Sequence, residues 1–257
     1  MTVPGKKAAL VVGFIFILLV PPFVSGKNTQ SGADGGIFLS RYQEAYQNAF
    51  YILIPKGWKA EGGMVPSGVQ WNVVDMVENN IRFRVTSPDG KSFFGWYARF
   101  YFQDPQAIIQ SSGGMLQPQI GQVLNGCWIY PYLDVAQYVQ YIVFQQFGPN
   151  EFQNPRIIGN VVKDPTLEPW VPKLATHSDY GYVNFECNIG GTPMFGRIYT
   201  INYDRQGTVW STVGTFGWLA PKSRWKQDER ITVKEIISCA ITMTVPCPSK
   251  MQRTGAS

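Results

Sequence analysis

The amino-acid sequence predicts an α+β fold, in which helices pack on an antiparallel sheet built from two meanders. Alternating apolar and polar residues, followed by turn sequences, occur in two separate parts of the chain. Other segments repeat apolar residues every three or four positions, which is the spacing of one helix face. A sheet with helices packed on it satisfies both patterns.

The first meander is marked by Ile81, Phe83 and Val85, which alternate with polar residues as in a half-buried strand. Pro88-Asp89-Gly90-Lys91 predicts a hairpin turn, and residues 93–102 supply the returning strand. Later strands, the last three of which form the second meander, are expected at residues 156–162, 183–189, 194–202 and 208–219.

Three segments have a helical pattern. Residues 38–49 place apolar side chains on one face, which predicts a short helix near the start of the domain. Asp134 can cap a second helix, whose apolar face extends from Val135 to Phe147. A third helix is expected from Asp228 onward.

Residues 1–26 are typical of a secretory signal peptide. Two lysines precede an apolar run from Ala8 to Val20, and Val24-Ser25-Gly26 offers small residues for cleavage. Pro21-Pro22 would end a helix before it could cross the hydrocarbon core, so cleavage is the preferred interpretation. An uncleaved membrane anchor is the alternative. We therefore expect a secreted or extracytoplasmic protein that meets a membrane only through this segment.

The remaining chain divides into three parts by composition. Residues 27–36 are rich in Gly, Ser, Asn and Gln, which predicts a flexible leader. Residues 37–245 are expected to form a single α+β domain, and residues 246–257 a polar tail.

The charge balance argues against a nucleic-acid partner. The chain has 22 basic and 17 acidic residues, and cleavage after residue 26 removes two lysines and no acid. The resulting net charge of +3, without a long basic run, is too small for a surface that neutralises phosphates.

Four cysteines lie after the predicted signal segment, at Cys127, Cys187, Cys239 and Cys247. In an oxidising compartment they could form two disulfides, with Cys239–Cys247 and Cys127–Cys187 as one of three pairings. Buried thiols are the alternative. A zinc site is not expected, because the sequence has no CxxC motif and one histidine.

No catalytic residue, metal or cofactor is predicted. His177-Ser178-Asp179 contains the residue types of a hydrolase triad, but triad members normally come from separate loops. Asp75 with Glu78, and Asp228 with Glu229, are close in sequence, which does not place them across a cleft.

The aromatic residues are the best candidates for binding. Trp58, Trp170, Tyr130 and Tyr132 flank prolines or glycines, where side chains tend to be exposed at turns. Exposed aromatic rings bury a large area at a low entropy cost, so they suit contacts with a glycan or a protein.

Three segments resemble the PsbP/Mog1-like fold, as found in a loose group of secreted prokaryotic proteins of unassigned role. They are Ile54-Pro55-Lys56-Gly57-Trp58-Lys59 with Glu61-Gly62-Gly63, then Ile129-Tyr130-Pro131-Tyr132, and finally Trp210 to Pro221. The resemblance implies a binding or assembly module more than a catalyst, although a fold alone does not fix a function.

The sequence therefore predicts a secreted or envelope-associated binding module that contacts a protein or polymer through aromatic loop residues. One alternative is a structural subunit that self-assembles through sheet edges, suggested by strand-rich composition with only 15% charged residues. Another is a hydrolase that uses carboxylates in a sheet-lined groove.

Overall fold

The computed structural model describes residues 38–44, 51–66, 79–97, 99–124, 126–147, 152–205 and 207–226. Of these residues, 54% are in strands and 17% are helical. The predicted signal segment, the flexible leader, the helix expected from Asp228 and the polar tail lie outside them. No helix in the described part of the chain is long and apolar enough to span a membrane.

The strands of the described residues are β1 (Leu39–Gln43), β2 (Tyr51–Pro55), β3 (Lys59–Pro66), β4 (Asn79–Thr86), β5 (Phe93–Tyr97), β6 (Tyr101–Gln103), β7 (Val123–Leu124), β8 (Cys127–Ile129), β9 (Gln153–Val162), β10 (His177–Ile189), β11 (Thr192–Arg205) and β12 (Val209–Pro221). The helical segments are α1 (Pro105–Ser111), α2 (Val135–Tyr138), which continues as a π-helix (Val139–Phe147), and a 3-10 helix (Pro165–Trp170).

The strands form one large sheet and one hairpin. The order in the large sheet is β3-β4-β5-β12-β11-β10-β9, and all these neighbours are antiparallel. β6 pairs with residues 209–211 of β12, and it forms a parallel pair with β8. β8 also forms an antiparallel pair with β7. β1 and β2 form a separate antiparallel pair.

The predicted α+β class is wrong, because the described chain is mostly β with a curled ten-stranded sheet. The first predicted helix illustrates the reason. Leu39–Gln43 is a strand, since it pairs along its whole length with Tyr51–Pro55. Residues 45–49 of that predicted helix lie outside the described residues. A five-residue segment satisfies helical and strand spacing alike, and long-range pairing decides between them.

Other predictions from the sequence are confirmed. The turn at Pro88-Asp89-Gly90-Lys91 joins the antiparallel strands β4 and β5. Asp134 caps the helix that begins at Val135: its side chain accepts from the Gln137 N–H, and the Gln137 side chain accepts from the Asp134 N–H. This reciprocal arrangement satisfies two amides at the helix start.

The long strands β10 and β11 are joined by the Gly190-Gly191 turn. Both glycines have positive φ, +54° and +77°, as a two-residue hairpin turn of this hand requires. The pairing then extends without interruption from Ile189 opposite Thr192 to His177 opposite Asp204. This hairpin is the scaffold for the candidate site.

Each face of the sheet has its own apolar core, because successive side chains of a strand point to opposite faces. One core is called the hairpin-side core, after the β1–β2 hairpin that covers it. In this core, Ile52 of β2 and Leu167 of the 3-10 helix pack with the aromatic residues Phe94, Phe216 and Trp218. The other core, the helix-side core, lies beneath the helical segment that begins at Val135. Its members include the following buried residues: Val139, Val143, Phe144, Val183, Phe185, Cys187, Met194 and Trp210.

Candidate functional site

A cavity of about 320 Å³ opens where the β10–β11 hairpin turns, beside the start of β9. Its volume lies at the lower end of the range for small-molecule sites, which is roughly 300–1,000 Å³. The lining residues come from β9, β10, β11 and the position after β12. They are Asn154, Arg156, Glu186, Cys187, Asn188, Pro193, Met194 and Lys222.

A bulge in β9 shapes this cavity. Glu186 pairs with Arg156 and Asn188 pairs with Gln153, so β9 advances by three residues while β10 advances by two. Asn154 lies inside the bulge with φ of +52°, a left-handed conformation that Asn tolerates better than most residues. Bulges of this kind redirect side chains and occur frequently next to binding sites.

Three of the lining residues, Cys187, Pro193 and Met194, are apolar. Cys187 and Met194 are directly opposite each other on β10 and β11, and both are almost fully buried members of the helix-side core. Pro193 precedes Met194, and its carbonyl accepts from the Lys222 N–H at 3.0 Å. This bond fixes the position of Lys222 beside the cavity.

The outer rim carries a three-residue ion network. Glu186 accepts a hydrogen bond of 3.1 Å from Nη2 of Arg156 through Oε2, and it accepts another from Nζ of Lys222 through Oε1. The Glu186 side chain is 25% exposed, while those of Arg156 and Lys222 are 75% and 56% exposed. Two cations therefore share one carboxylate at the mouth, and the network has a net charge of +1.

The surroundings set the ionisation of two lining groups. Hydrogen bonds from Lys222 and then from Arg156 hold the pKa of Glu186 below its ordinary value, so Glu186 stays a carboxylate. Burial raises the pKa of the Cys187 thiol to about 12, so it stays protonated at neutral pH. A protonated, buried thiol is a poor nucleophile and a poor metal ligand.

The sequence-predicted binding residues lie elsewhere in the fold. Trp58 and Trp170 are both partly buried at the margin of the hairpin-side core. The Trp58 ring packs against Phe94 with 6.1 Å between centroids, and Trp170 ends the 3-10 helix. Neither tryptophan lines the cavity.

Tyr130 and Tyr132 lie against the other core, so the structure does not bring the four predicted residues together. The Tyr130 carbonyl accepts from the Trp210 indole N–H at 2.9 Å. The Tyr132 hydroxyl donates to the Asn202 carbonyl at 3.2 Å, and its ring meets Trp210 edge-on. Both tyrosines therefore brace Trp210 within the core.

The cysteines of the described residues are free thiols. Cys127, in β8, and Cys187, in β10, are both buried, and no disulfide joins them. This is the buried-thiol alternative that the sequence left open. Cys239 and Cys247, the other predicted disulfide candidates, lie outside the described residues.

The residue types of a hydrolase triad are separated by the strand geometry. His177 and Asp179 share one face of β10, and Ser178 points to the other. The His177 ring contacts Tyr132 edge-on, and Asp179 accepts from the Val135 N–H at 2.9 Å. Both carboxylate pairs considered from sequence lie outside the described residues. Within the described ranges, no three His, Cys, Asp or Glu side chains gather to hold a metal ion.

The rim residues were missed because their partners are distant in sequence. Arg156 and Glu186 are separated by 30 positions, and Glu186 and Lys222 by 36. The alternation in β10 does predict that Glu186 lies on the wetted side of a strand, but it gives no partner. The sequence shows no signal for the bulge that opens the cavity.

The comparisons with known proteins add no family to this description. No protein-family model matches the chain, and no curated protein sequence matches it significantly. The function is therefore inferred from the lining of the cavity.

Proposed function

We propose that this chain is a non-catalytic binding module, exported from the cell or held at its envelope, that binds an anionic group of its ligand in the cavity. The observation that carries the proposal is the convergence of Arg156 and Lys222 on one carboxylate, Glu186, at the cavity mouth. The excess positive charge and the exposed donors favour an anion at this position.

The shared carboxylate gives the two cations a fixed position without neutralising both. Glu186 is the least exposed of the three side chains, so it anchors the network, while Arg156 and Lys222 reach toward solvent. Arg presents parallel N–H donors and Lys presents a point charge, which together suit a carboxylate or phosphate. Asn154 and Asn188 add amide groups that could orient the ligand.

The apolar lining residues add a second requirement. Pro193 is exposed and offers the ligand an apolar surface, whereas Cys187 and Met194 are almost fully buried, with their side chains on the opposite face of the sheet from Glu186. Sites for small ligands commonly combine such a surface with a few polar groups at defined positions. We therefore expect a ligand with an anionic head and a short apolar body, which could be the end group of a larger polymer.

Catalysis is not supported by the ionisation of the lining groups. A glycosidase needs a carboxylic acid with a raised pKa beside a second carboxylate. Glu186 is instead held in its charged form, and it is the single carboxylate among the residues that line the cavity. The Cys187 thiol is held in its neutral form.

Self-assembly through sheet edges is less well supported at the described edge formed by β9. This strand contains Pro155, the bulge at Asn154 and Gly159 with φ of +71°. Proline, bulges and irregular pairing are features that prevent edge strands from joining other chains. Contact with a protein or polymer through Trp58 and Trp170 remains a further proposal, which the partial exposure of both residues supports.

The test is a calorimetric titration with hexanoate, which has a carboxylate and a short apolar chain, and with hexanamide, its neutral analogue. We expect hexanoate to bind, and Lys222→Ala or Arg156→Ala to weaken its binding by about tenfold. Lys59→Ala is the matched control, because Lys59 also pairs with a glutamate, Glu61, at 2.5 Å but lies outside the cavity. Equal binding of hexanamide, or an equal loss with Lys59→Ala, would reject the proposal.

A further inference from the structure

The segment between α1 and β8 exposes a group of large apolar side chains. This apolar loop, residues 112–124, includes Met115, Leu116, Ile120 and Val123, which are 85%, 52%, 64% and 50% exposed. Single exposed apolar residues are ordinary on protein surfaces, but four within one loop are not. An exposed apolar group of this kind indicates a surface that meets a partner.

The apolar loop is also free of charge. From Pro105 to Leu133 the sequence has no Asp, Glu, Lys, Arg or His, although 15% of the chain consists of charged residues. The flanking charged residues are Asp104 and Asp134, each of which caps a helix. The loop therefore presents no charge that would have to be removed from water on docking.

The backbone of the loop is hydrogen-bonded internally, which holds the exposed side chains in a defined arrangement. The bonds link the N–H groups of Gly113, Gly114, Met115, Gly121 and Gln122 to backbone carbonyls, and those of Leu116 and Gln119 to the side chains of Ser112 and Gln122. Backbone groups that enter an apolar medium need such internal partners.

Aromatic residues lie at the base of the loop. Trp128 pairs with Val123 across the β7–β8 ladder and is half-buried. The Tyr130 hydroxyl lies 3.5 Å from the position that a Cβ would take on Gly121. Tryptophan and tyrosine favour the boundary between lipid and water, where the ring is apolar and one end is wet.

We propose that the apolar loop docks on a lipid bilayer by inserting Met115, Leu116, Ile120 and Val123 into the interface of a net-neutral membrane. The absence of charge favours this occupant, because an uncharged apolar surface suits zwitterionic head groups and needs no counter-charge from the membrane. The high exposure of Met115 and Ile120 indicates side chains that project outward rather than line a groove. The inference is independent of the ligand cavity and goes beyond the proposed function.

The test places an environment-sensitive NBD label on the full chain as Ile120→Cys, with vesicles of phosphatidylcholine as the probe. Leu174→Cys is the matched control, because Leu174 is a leucine that is 87% exposed on a different loop. The unsubstituted chain is carried through the same labelling to correct for its own cysteines. A local label is needed because the apolar run from Ala8 to Val20 could bind vesicles by itself.

We expect the label at position 120 to shift to the blue on adding vesicles and to be quenched by a quencher carried on the lipid chains. The emission of the label at position 174 should neither shift nor be quenched. Adding Met115→Asp to the Ile120→Cys chain should abolish the shift, because a carboxylate is costly to insert into a bilayer. Leu174→Asp in the same chain should leave the shift intact.

Three results would overturn the proposal. The first is an absent shift at position 120, and the second is an equal shift at positions 120 and 174. The third is a shift at position 120 that appears without vesicles as the protein concentration rises, which would assign the loop to contact between copies of the chain.

Discussion

The guanidinium of Arg224 donates a hydrogen bond of 2.7 Å to the carboxylate of Asp89, and so ties the residues after β12 to the β4–β5 turn. Asp89 also accepts from the Ser87 hydroxyl at 2.6 Å and from the Lys91 N–H at 3.1 Å. These bonds, with that of Ser87 the strongest influence, hold the pKa of Asp89 well below its ordinary value.

A lowered pKa at Asp89 predicts that this contact fails in acid. Since the folded-state pKa lies below the unfolded value of about 3.9, the stabilisation is present above that pH and is lost as the pH falls toward the folded value. Asp89→Asn should lower the free energy of unfolding by about 1 kcal/mol at pH 7, given that the pair is partly exposed. Urea unfolding measured from pH 7 to pH 2 should show that the variant loses less free energy of unfolding in acid than the wild type does. The same pH dependence in both proteins would contradict the assignment.

Two glycines of β12 should respond differently to the same substitution. A Cβ on Gly214 would lie 2.1 Å from Cζ2 of Trp96, whereas a Cβ on Gly217 would have its nearest neighbour at 3.4 Å. Gly214→Ala should therefore destabilise the fold by about 1–3 kcal/mol through overpacking. The free energy of unfolding of Gly217→Ala should stay within about 1 kcal/mol of the wild-type value. Urea unfolding of the two variants measures this difference, and equal stability would contradict the close packing of Trp96 against Gly214.

The start of the helix at Val135 depends on a carboxylate from the sheet. Asp179 of β10 accepts from the Val135 N–H at 2.9 Å, in addition to the cap that Asp134 provides. Asp179→Ala should cost about 1–2 kcal/mol because it leaves this amide without its acceptor. Asp179→Asn keeps an acceptor oxygen and should retain part of the stability. If thermal unfolding found the alanine variant as stable as the asparagine variant, the hydrogen bond from Val135 to Asp179 would not stabilise the helix.

The two described cysteines should be inert in the folded protein. Burial raises the pKa of both thiols, that of Cys187 to about 12, so little thiolate exists near pH 8. Alkylation followed by peptide mass analysis should modify Cys127 and Cys187 only after denaturant is added. Rapid modification of Cys187 without denaturant would contradict its burial, and a mass deficit at both peptides before reduction would reveal a disulfide.

The sequence predicts the local elements of this fold because their signals are local. Pro88-Asp89-Gly90-Lys91 after an alternating segment predicts the β4–β5 hairpin, and Asp134 before the apolar residues of 135–147 predicts the helix. The fold class could not be obtained in the same way. Whether Leu39–Gln43 is a helix or a strand depends on its pairing with β2, which no short window contains.

The candidate site depends still more on long-range geometry. Glu186 and Arg156 both occur in segments that the sequence predicts as strands, yet their contact depends on the register of β9 against β10. That register changes at the bulge containing Asn154, and an extra residue in a strand leaves no clear pattern in the sequence. The aromatic candidates were easier to propose, but Tyr130 and Tyr132 brace the core around Trp210.

The most direct test of the proposed cavity is a methyl NMR titration of the ¹³C-methionine-labelled protein with hexanoate. The Met194 methyl, assigned with Met194→Leu, should shift progressively and saturate, because Met194 is buried next to the bound ligand and is one of the residues that line the cavity. Hexanamide should leave the Met194 methyl signal unshifted. Lys222→Ala should raise the hexanoate concentration at which the shift reaches half of its maximum. A Met194 methyl that stays unmoved, while other methionines shift, would show that an anionic ligand does not bind in this cavity.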